Sequence, residues 1–196
     1  MADFNDILPT GVDIRAIELV SDQHTTKTQT NSGRIQVRTH GDQNWKATIT
    51  MPAMKEDDLR IVYAFLIKQK GSFGTFTIAP TNLTRVGGTQ DPSESITTGG
   101  AVGDTSITTT DSDQIAVGDM INFSGPAGHT KAYMVTEVSG QTLSFQPKLL
   151  QAVTSSHTVE SRSNFEMKVR LSEDEFTYSL DETGYGFIEF KIVEVI

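Results

Sequence analysis

Apolar and polar residues alternate along both ends of this chain, and the alternation predicts sheet. Residues 12–20, Val12 to Val20, mix apolar and charged positions and predict a strand. Residues 21–32 are almost entirely polar and predict a long exposed hairpin or loop. Gly33 opens a second strand, Arg34 to His40, closed by the turn cluster Gly41-Asp42-Gln43-Asn44. In residues 45–51, Trp45, Ala47, Ile49 and Met51 fall on one face, and Lys46, Thr48 and Thr50 on the other. Period-two alternation of this kind marks a sheet with one buried face.

The period changes once. Leu59, Val62, Tyr63 and Leu66 recur at helical spacing, with Phe65 and Ile67 widening the apolar face, and predict a helix over 55–70. Glu56, Asp57 and Asp58 in its first turn, and Lys68 and Lys70 in its last, complement the helix dipole. Gly71 is placed to cap it. Residues 73–79 then predict a strand ended by Pro80.

The composition shifts near residue 85. Residues 86–103 read as a Gly, Ser and Thr linker, followed by short strands at 105–109, 120–123, 131–138 and 142–146. Gly125-Pro126-Ala127-Gly128 and Ser139-Gly140 are among the turns between them. Closely spaced short strands suggest a small barrel or sandwich. From Phe165 the first style returns, with strands at 165–171, 176–180 and 187–196. Glu173-Asp174-Glu175 reads as a hairpin turn and Gly184-Tyr185-Gly186 as the next turn. The predicted architecture is mainly β: a β-sandwich with one flanking helix, from residues 1–86 and 162–196, interrupted by an inserted β-module over 87–161. Strand ends lie at the surface, where insertions are tolerated.

Charge adds a distinction between these parts. The chain carries net −9, and residues 88–160 hold eight acidic against two basic residues. That balance argues against coating nucleic acid, where basic patches supply most of the affinity. The 36% hydrophobic content is enough for a packed core, and the absence of cysteine excludes disulfides and thiolate metal sites. The N-terminal residues predict no secretory leader, and no apolar run approaches the ~20 residues of a membrane helix.

Candidate chemistry is sparse, and no enzymatic role is expected. His24, His40, His129 and His157 lie in polar loops or at strand edges and read as solvated. Asp111-Ser112-Asp113 begins like a calcium loop, but the glycine and distal glutamate do not follow. Glycine pairs at 87–88 and 99–100 lack the lysine and helix of a phosphate loop, and no nucleophile elbow is present. Asn82-Leu83-Thr84 is a sequon without a secretory context. Trp45, Phe73 and Phe76 read as core packing rather than a stacking platform. No catalytic, cofactor or metal residue is predicted.

The run Asn44 to Met54, then Ile61 to Leu66, then Gly71 to Pro80, resembles the distal tail proteins and lambda-type minor tail protein M of long-tailed bacteriophages. The shared pattern is an aromatic-containing strand, a helix ending in glycine, and an aromatic-rich strand ending in proline. Trp45, Leu59, Phe65, Gly71, Phe73, Phe76 and Pro80 carry it, and residues 169–171 and 187–196 resemble the closing strands. The resemblance implies a tail-tube-like sandwich forming a hexameric ring between the tail tube protein and the tip hub proteins. DNA would pass through its channel without specific binding. It also implies a virion location at the tail tip, after assembly in the host cytoplasm. By the same resemblance, the polar segment with Gln23, Thr25, Thr26, Lys27, Thr28, Gln29 and Thr30 is the expected arm to a neighbouring subunit. The segments Val117 to Ile121 and Lys131 to Thr136 look like an insert of longer relatives. Receptor or carbohydrate binding through that insert is the alternative.

Overall fold

The structure, a computed structural model, describes residues 6–7, 14–80, 83, 93–112, 115–125 and 129–196. The predicted start of the first strand, the sequon residues Asn82 and Thr84, most of the predicted linker, Asp113 and Pro126-Ala127-Gly128 lie outside the described residues. The fold is mainly β with one helix, as the alternation predicts.

One sheet is built from the two ends of the chain. Its strands are β1 (Asp6–Ile7), β2 (Ala16–Gln29), β3 (Ile35–Thr50), β4 (Met54–Lys55), β5 (Phe76–Ile78), β12 (Met167–Leu171), β13 (Tyr178–Leu180) and β14 (Tyr185–Glu194). The order is β1-β5-β12-β14-β3-β2, with β13 and β4 on the first residues of β14. β14 is therefore the central strand. Its later residues lie between β3 and β12, with Phe190 opposite Ile49 and Leu171 opposite Ile192. The helix α1 (Glu56–Lys68) covers the sheet with Leu59, Val62 and Leu66, which share a core with Ile49, Met51, Phe76, Ile78, Ile188 and Phe190.

The remaining strands form a closed barrel: β6 (Ser93–Thr98), β7 (Ser106–Thr109), β8 (Met120–Ser124), β9 (Tyr133–Ser139), β10 (Thr142–Gln146) and β11 (Thr158–Ser161), in the order β10-β7-β6-β11-β8-β9. Closure leaves no bare edge. In its core Phe145 packs edge to face with Phe123 and Tyr133, whose own rings meet at a tilt of 52°.

Several sequence readings are corrected. The predicted linker contains β6, and β11 runs where the sequence pattern predicts no strand. Each strand sends little apolar surface inward, Ile96 from one and Val159 from the other, so neither reads as a hydrophobic run. No turn interrupts β3 at Gly41-Asp42-Gln43-Asn44. The strand continues, and a bulge opposite Gln23–Thr25 absorbs the extra residues. The strand expected at 73–79 shrinks to Phe76–Ile78, because Gly71–Phe73 forms a 3₁₀ turn. Ile67 faces outward at 54% exposure rather than widening the helix's buried face. Glu173-Asp174-Glu175 is not a hairpin turn, since β12 and β13 both pair with β14 and not with each other. Tyr185 and Gly186 belong to β14, and the turn before it is held by Asp181, whose Oδ1 accepts N–H groups of Thr183 and Tyr185 at 2.9 Å each.

Candidate interaction surface

β2 and β3 pair over almost their whole length and run past the sheet as a two-stranded ribbon. Gln23, Thr25, Thr26, Lys27, Thr28, Gln29 and Thr30 all lie on it and are all exposed, as is every residue from 23 to 39. At ~3.3 Å per residue the ribbon reaches about 20 Å beyond the bulge. Its tip is a tight turn in which Gly33 adopts φ +80° and its N–H bonds the Thr30 carbonyl at 2.8 Å. Ile35 and Val37 are 63% and 57% exposed. Cross-strand partners share a face, so Lys27 with Val37 and Gln29 with Ile35 lie on one side. Thr26 with Arg38 and Thr28 with Gln36 lie on the other.

A cleft of about 910 Å³ lies between the ribbon's base and the barrel. Leu19, Trp45, Met134 and Pro147 supply its apolar lining, while Gln23, Gln43, Thr39 and Thr136 add amides and hydroxyls. Lys148 is the one charged residue among its lining residues.

Beneath the cleft the barrel is fastened to the sheet. The inward parity of β14 that buries Ile188, Phe190 and Ile192 also buries Glu194. The Glu194 carboxylate accepts the Ala132 N–H at 2.6 Å and the Trp45 N–H at 3.3 Å. It also pairs with the Lys131 ammonium, which in turn donates to the Gln43 carbonyl at 2.6 Å. The Trp45 indole donates to the Ala132 carbonyl at 2.9 Å. Burial pushes the Glu194 carboxyl above its ordinary range, and the Lys131 ammonium and the N–H donors oppose that. Burial likewise pushes Lys131 below its own range, against the attraction of Glu194. Sequence reasoning missed this joint. Its one signal was a carboxylate at an inward position of the apolar closing strand.

The family-pattern residues separate. Trp45, Leu59, Phe76 and Pro80 are buried, and Phe65 is half-buried with its ring edge-on to Phe76 at 5.3 Å. Phe73 is not core: it is 79% exposed, because the 3₁₀ turn carries it outward. Gly71 does not take the left-handed position alone, since Lys70 has φ +56° and Gly71 φ +66°. A Cβ on Gly71 would stand 2.5 Å from Asp174 Oδ1. That oxygen also accepts the Ser72 N–H at 2.9 Å and the Ser72 hydroxyl at 2.8 Å. These two bonds hold the Asp174 carboxyl below its usual range.

The histidines also separate. His24 is exposed, and the side chain of His40 lies outside the described residues. His129 and His157 are not solvated: they are 7% and 5% exposed, with ring centroids 5.2 Å apart and planes nearly perpendicular. His157 Nδ1 accepts the Thr154 N–H at 3.2 Å. The Nε2 atom of each ring is buried without a protein hydrogen-bond partner. Burial, then the neighbouring His157, lowers the His129 pKa, against a hydrogen bond to the Ala152 backbone.

Glu160 gathers hydroxyls from Ser93, Ser124 at 2.5 Å and Thr158 at 2.7 Å, tying β6, β8 and β11 together. Among the described residues, no three His, Cys, Asp or Glu side chains converge as a metal site, and no helix is long and apolar enough to cross a membrane. Comparison with protein-family models finds no match, and comparison with curated proteins finds none of significant similarity.

Proposed function

We propose that this chain is a structural subunit of a ring at the distal end of a bacteriophage tail, joining the tail tube to the tip hub around a channel for the genome. The observation that carries the reading is the ribbon. A two-stranded ribbon is at best marginally stable by itself in water, and this one exposes Ile35 and Val37 on a long projection. Such an arm suits a repeated head-to-tail contact, in which each copy gives one arm and receives one, and a contact of that kind makes a ring where the rotation between copies closes. The sheet with one packed helix agrees with the resemblance of residues 44–80 and 169–196 to tail-tip proteins. A net charge of −9 suits a channel whose walls must not hold DNA phosphates.

Receptor or carbohydrate binding through the barrel is less well supported. The three aromatic residues in the barrel's span, Phe123, Tyr133 and Phe145, are all fully buried, so no ring is offered for stacking on a sugar.

Native mass measurement of the purified chain, with electron microscopy of the assembled species and of virions, tests the reading. A six-fold ring with an open centre, found at the tail tip, is expected. A chain that stays monomeric at every concentration and is missing from virions would overturn it.

A further inference from the structure

Two strands of this chain carry matching apolar stripes. Residues two apart on a strand share a face. Among the described residues, two such pairs of large apolar side chains are exposed: Ile35 with Val37 on β3, and Tyr185 with Phe187 on β14. The second pair lies on the face of β14 turned away from α1, whose own face buries Ile188 and Phe190. A hollow of about 180 Å³ opens beside the two rings, lined also by Ala53, Ser179 and Leu180.

The faces that carry these stripes are opposite in charge. On the ribbon, Lys27 lies across from Val37, and Gln29 across from Ile35. Arg34 and Arg38 belong to the ribbon's other face. On β14 the outward residue after Phe187 is the exposed Glu189, while Lys55 lies across from Tyr185 at the other end of the stripe. The surrounding residues 171–190 expose six carboxylates and hold no Lys or Arg. Ribbon residues 23–38 hold no carboxylate.

The two stripes are too far apart to meet within one copy. Glu189 is paired with Thr50, and Val37 precedes Thr50 on the same strand by about 40 Å at ~3.3 Å per residue.

We propose that the ribbon of one copy lies on the outward face of β14 in the next copy. Ile35 and Val37 cover Tyr185 and Phe187, and Lys27 meets Glu189. That direction leaves the uncharged Gln29 at the Lys55 end, whereas the reverse would set Lys27 beside Lys55. The proposal rests on the ring reading and adds the receiving surface. A donor and a receiver at separate ends of one chain make the head-to-tail contact that the ring requires. Burial of the two apolar stripes supplies the hold. An exposed charge pair is worth little, so Lys27 and Glu189 set direction more than strength.

Lys27→Glu and Arg38→Glu make the same change of charge on opposite faces of the ribbon. Lys27→Glu is expected to raise the concentration needed for assembly about tenfold, because like charges then face each other. Arg38→Glu should raise it by less than about threefold. Adding Glu189→Lys to Lys27→Glu should restore most of the loss. Equal effects of the two single variants, or no restoration, would overturn the docking.

The absence of cysteine allows a direct map of the contact. One population carries Gln29→Cys on the ribbon. Three others, of different mass, carry Ser179→Cys across from Phe187, Arg60→Cys on the exposed side of α1, or Glu137→Cys on the barrel. Each chain then has one thiol, so every cross-link joins two copies. Mixed populations, assembled and treated with a short bismaleimide, are expected to link the ribbon to position 179 at least several-fold more than to position 60 or 137. Assemblies of normal mass whose ribbons link mainly to position 60 or 137, or to no other copy, would overturn the docking and leave the ring standing. A monomer at every concentration would overturn both.

Discussion

The Lys131 ammonium and the Glu194 carboxylate form a buried ion pair, with the two side chains 3% and 0% exposed, that joins the barrel to the closing strand of the sheet. Removing one partner of such a pair leaves the other charge without compensation in a dry site. Lys131→Met is expected to destabilise the chain by about 3–5 kcal/mol at neutral pH. Glu194 then has only the Ala132 and Trp45 N–H groups to hold its charge, so its pKa rises further. The variant's deficit should shrink as pH falls and Glu194 takes up a proton. Denaturant unfolding of both proteins at several pH values checks this, and a pH-independent deficit would refute it.

Trp45 makes the same joint visible. It is the one tryptophan in the chain, 6% exposed, with its indole N–H on the Ala132 carbonyl at 2.9 Å. Trp45→Phe keeps an aromatic ring and leaves that carbonyl unsatisfied, at an expected cost of about 1–3 kcal/mol. In the parent protein Trp45 emission should be blue-shifted, and Lys131→Met should move it to the red. Emission unchanged by Lys131→Met would show that the joint does not depend on the ion pair.

The His129–His157 pair gives the barrel a pH dependence of defined sign. His129 titrates below the ordinary value of 6.5 in the folded protein, since burial and then the neighbouring ring disfavour its charge. The unfolded chain therefore binds more protons at mildly acidic pH, and stability rises with pH there. The stabilising contribution is complete above pH 6.5 and is lost as pH falls from 6.5 through the folded pKa. Thermal unfolding between pH 7.5 and about 5 should show this loss, and His129→Leu should flatten the slope. A slope unaffected by His129→Leu would assign it to other groups.

Two phenylalanines three residues apart should behave oppositely. Phe76→Ala removes a ring that is 1% exposed and is expected to cost about 3–5 kcal/mol. Phe73→Ala removes one that is 79% exposed and should change stability by no more than about 0.5 kcal/mol. Gly71→Ala, although it adds only a methyl group, should cost about 1–3 kcal/mol, because φ is +66° and the new carbon meets Asp174. Equilibrium unfolding of the three variants decides the order.

The strength of a pattern governed what could be read from the chain itself. Trp45, Ala47, Ile49 and Met51 announce a half-buried strand, and Leu59, Val62 and Leu66 announce a helix, because a sheet face and a helix face must each repeat at their own period. Glycine, proline and the shift in composition near residue 85 mark where the sheet's sequence is interrupted. Where one apolar residue suffices for a strand, as in β6 and β11, the alternation is too thin to register, and only closure of the barrel makes the segment a strand. Tertiary structure alone placed Phe73 outside and His129 and His157 inside, since exposure depends on what packs over a residue. It alone brought Lys131 to Glu194 across 63 residues of chain. Their pairing depends on how the barrel sits on the sheet, and no local periodicity encodes that.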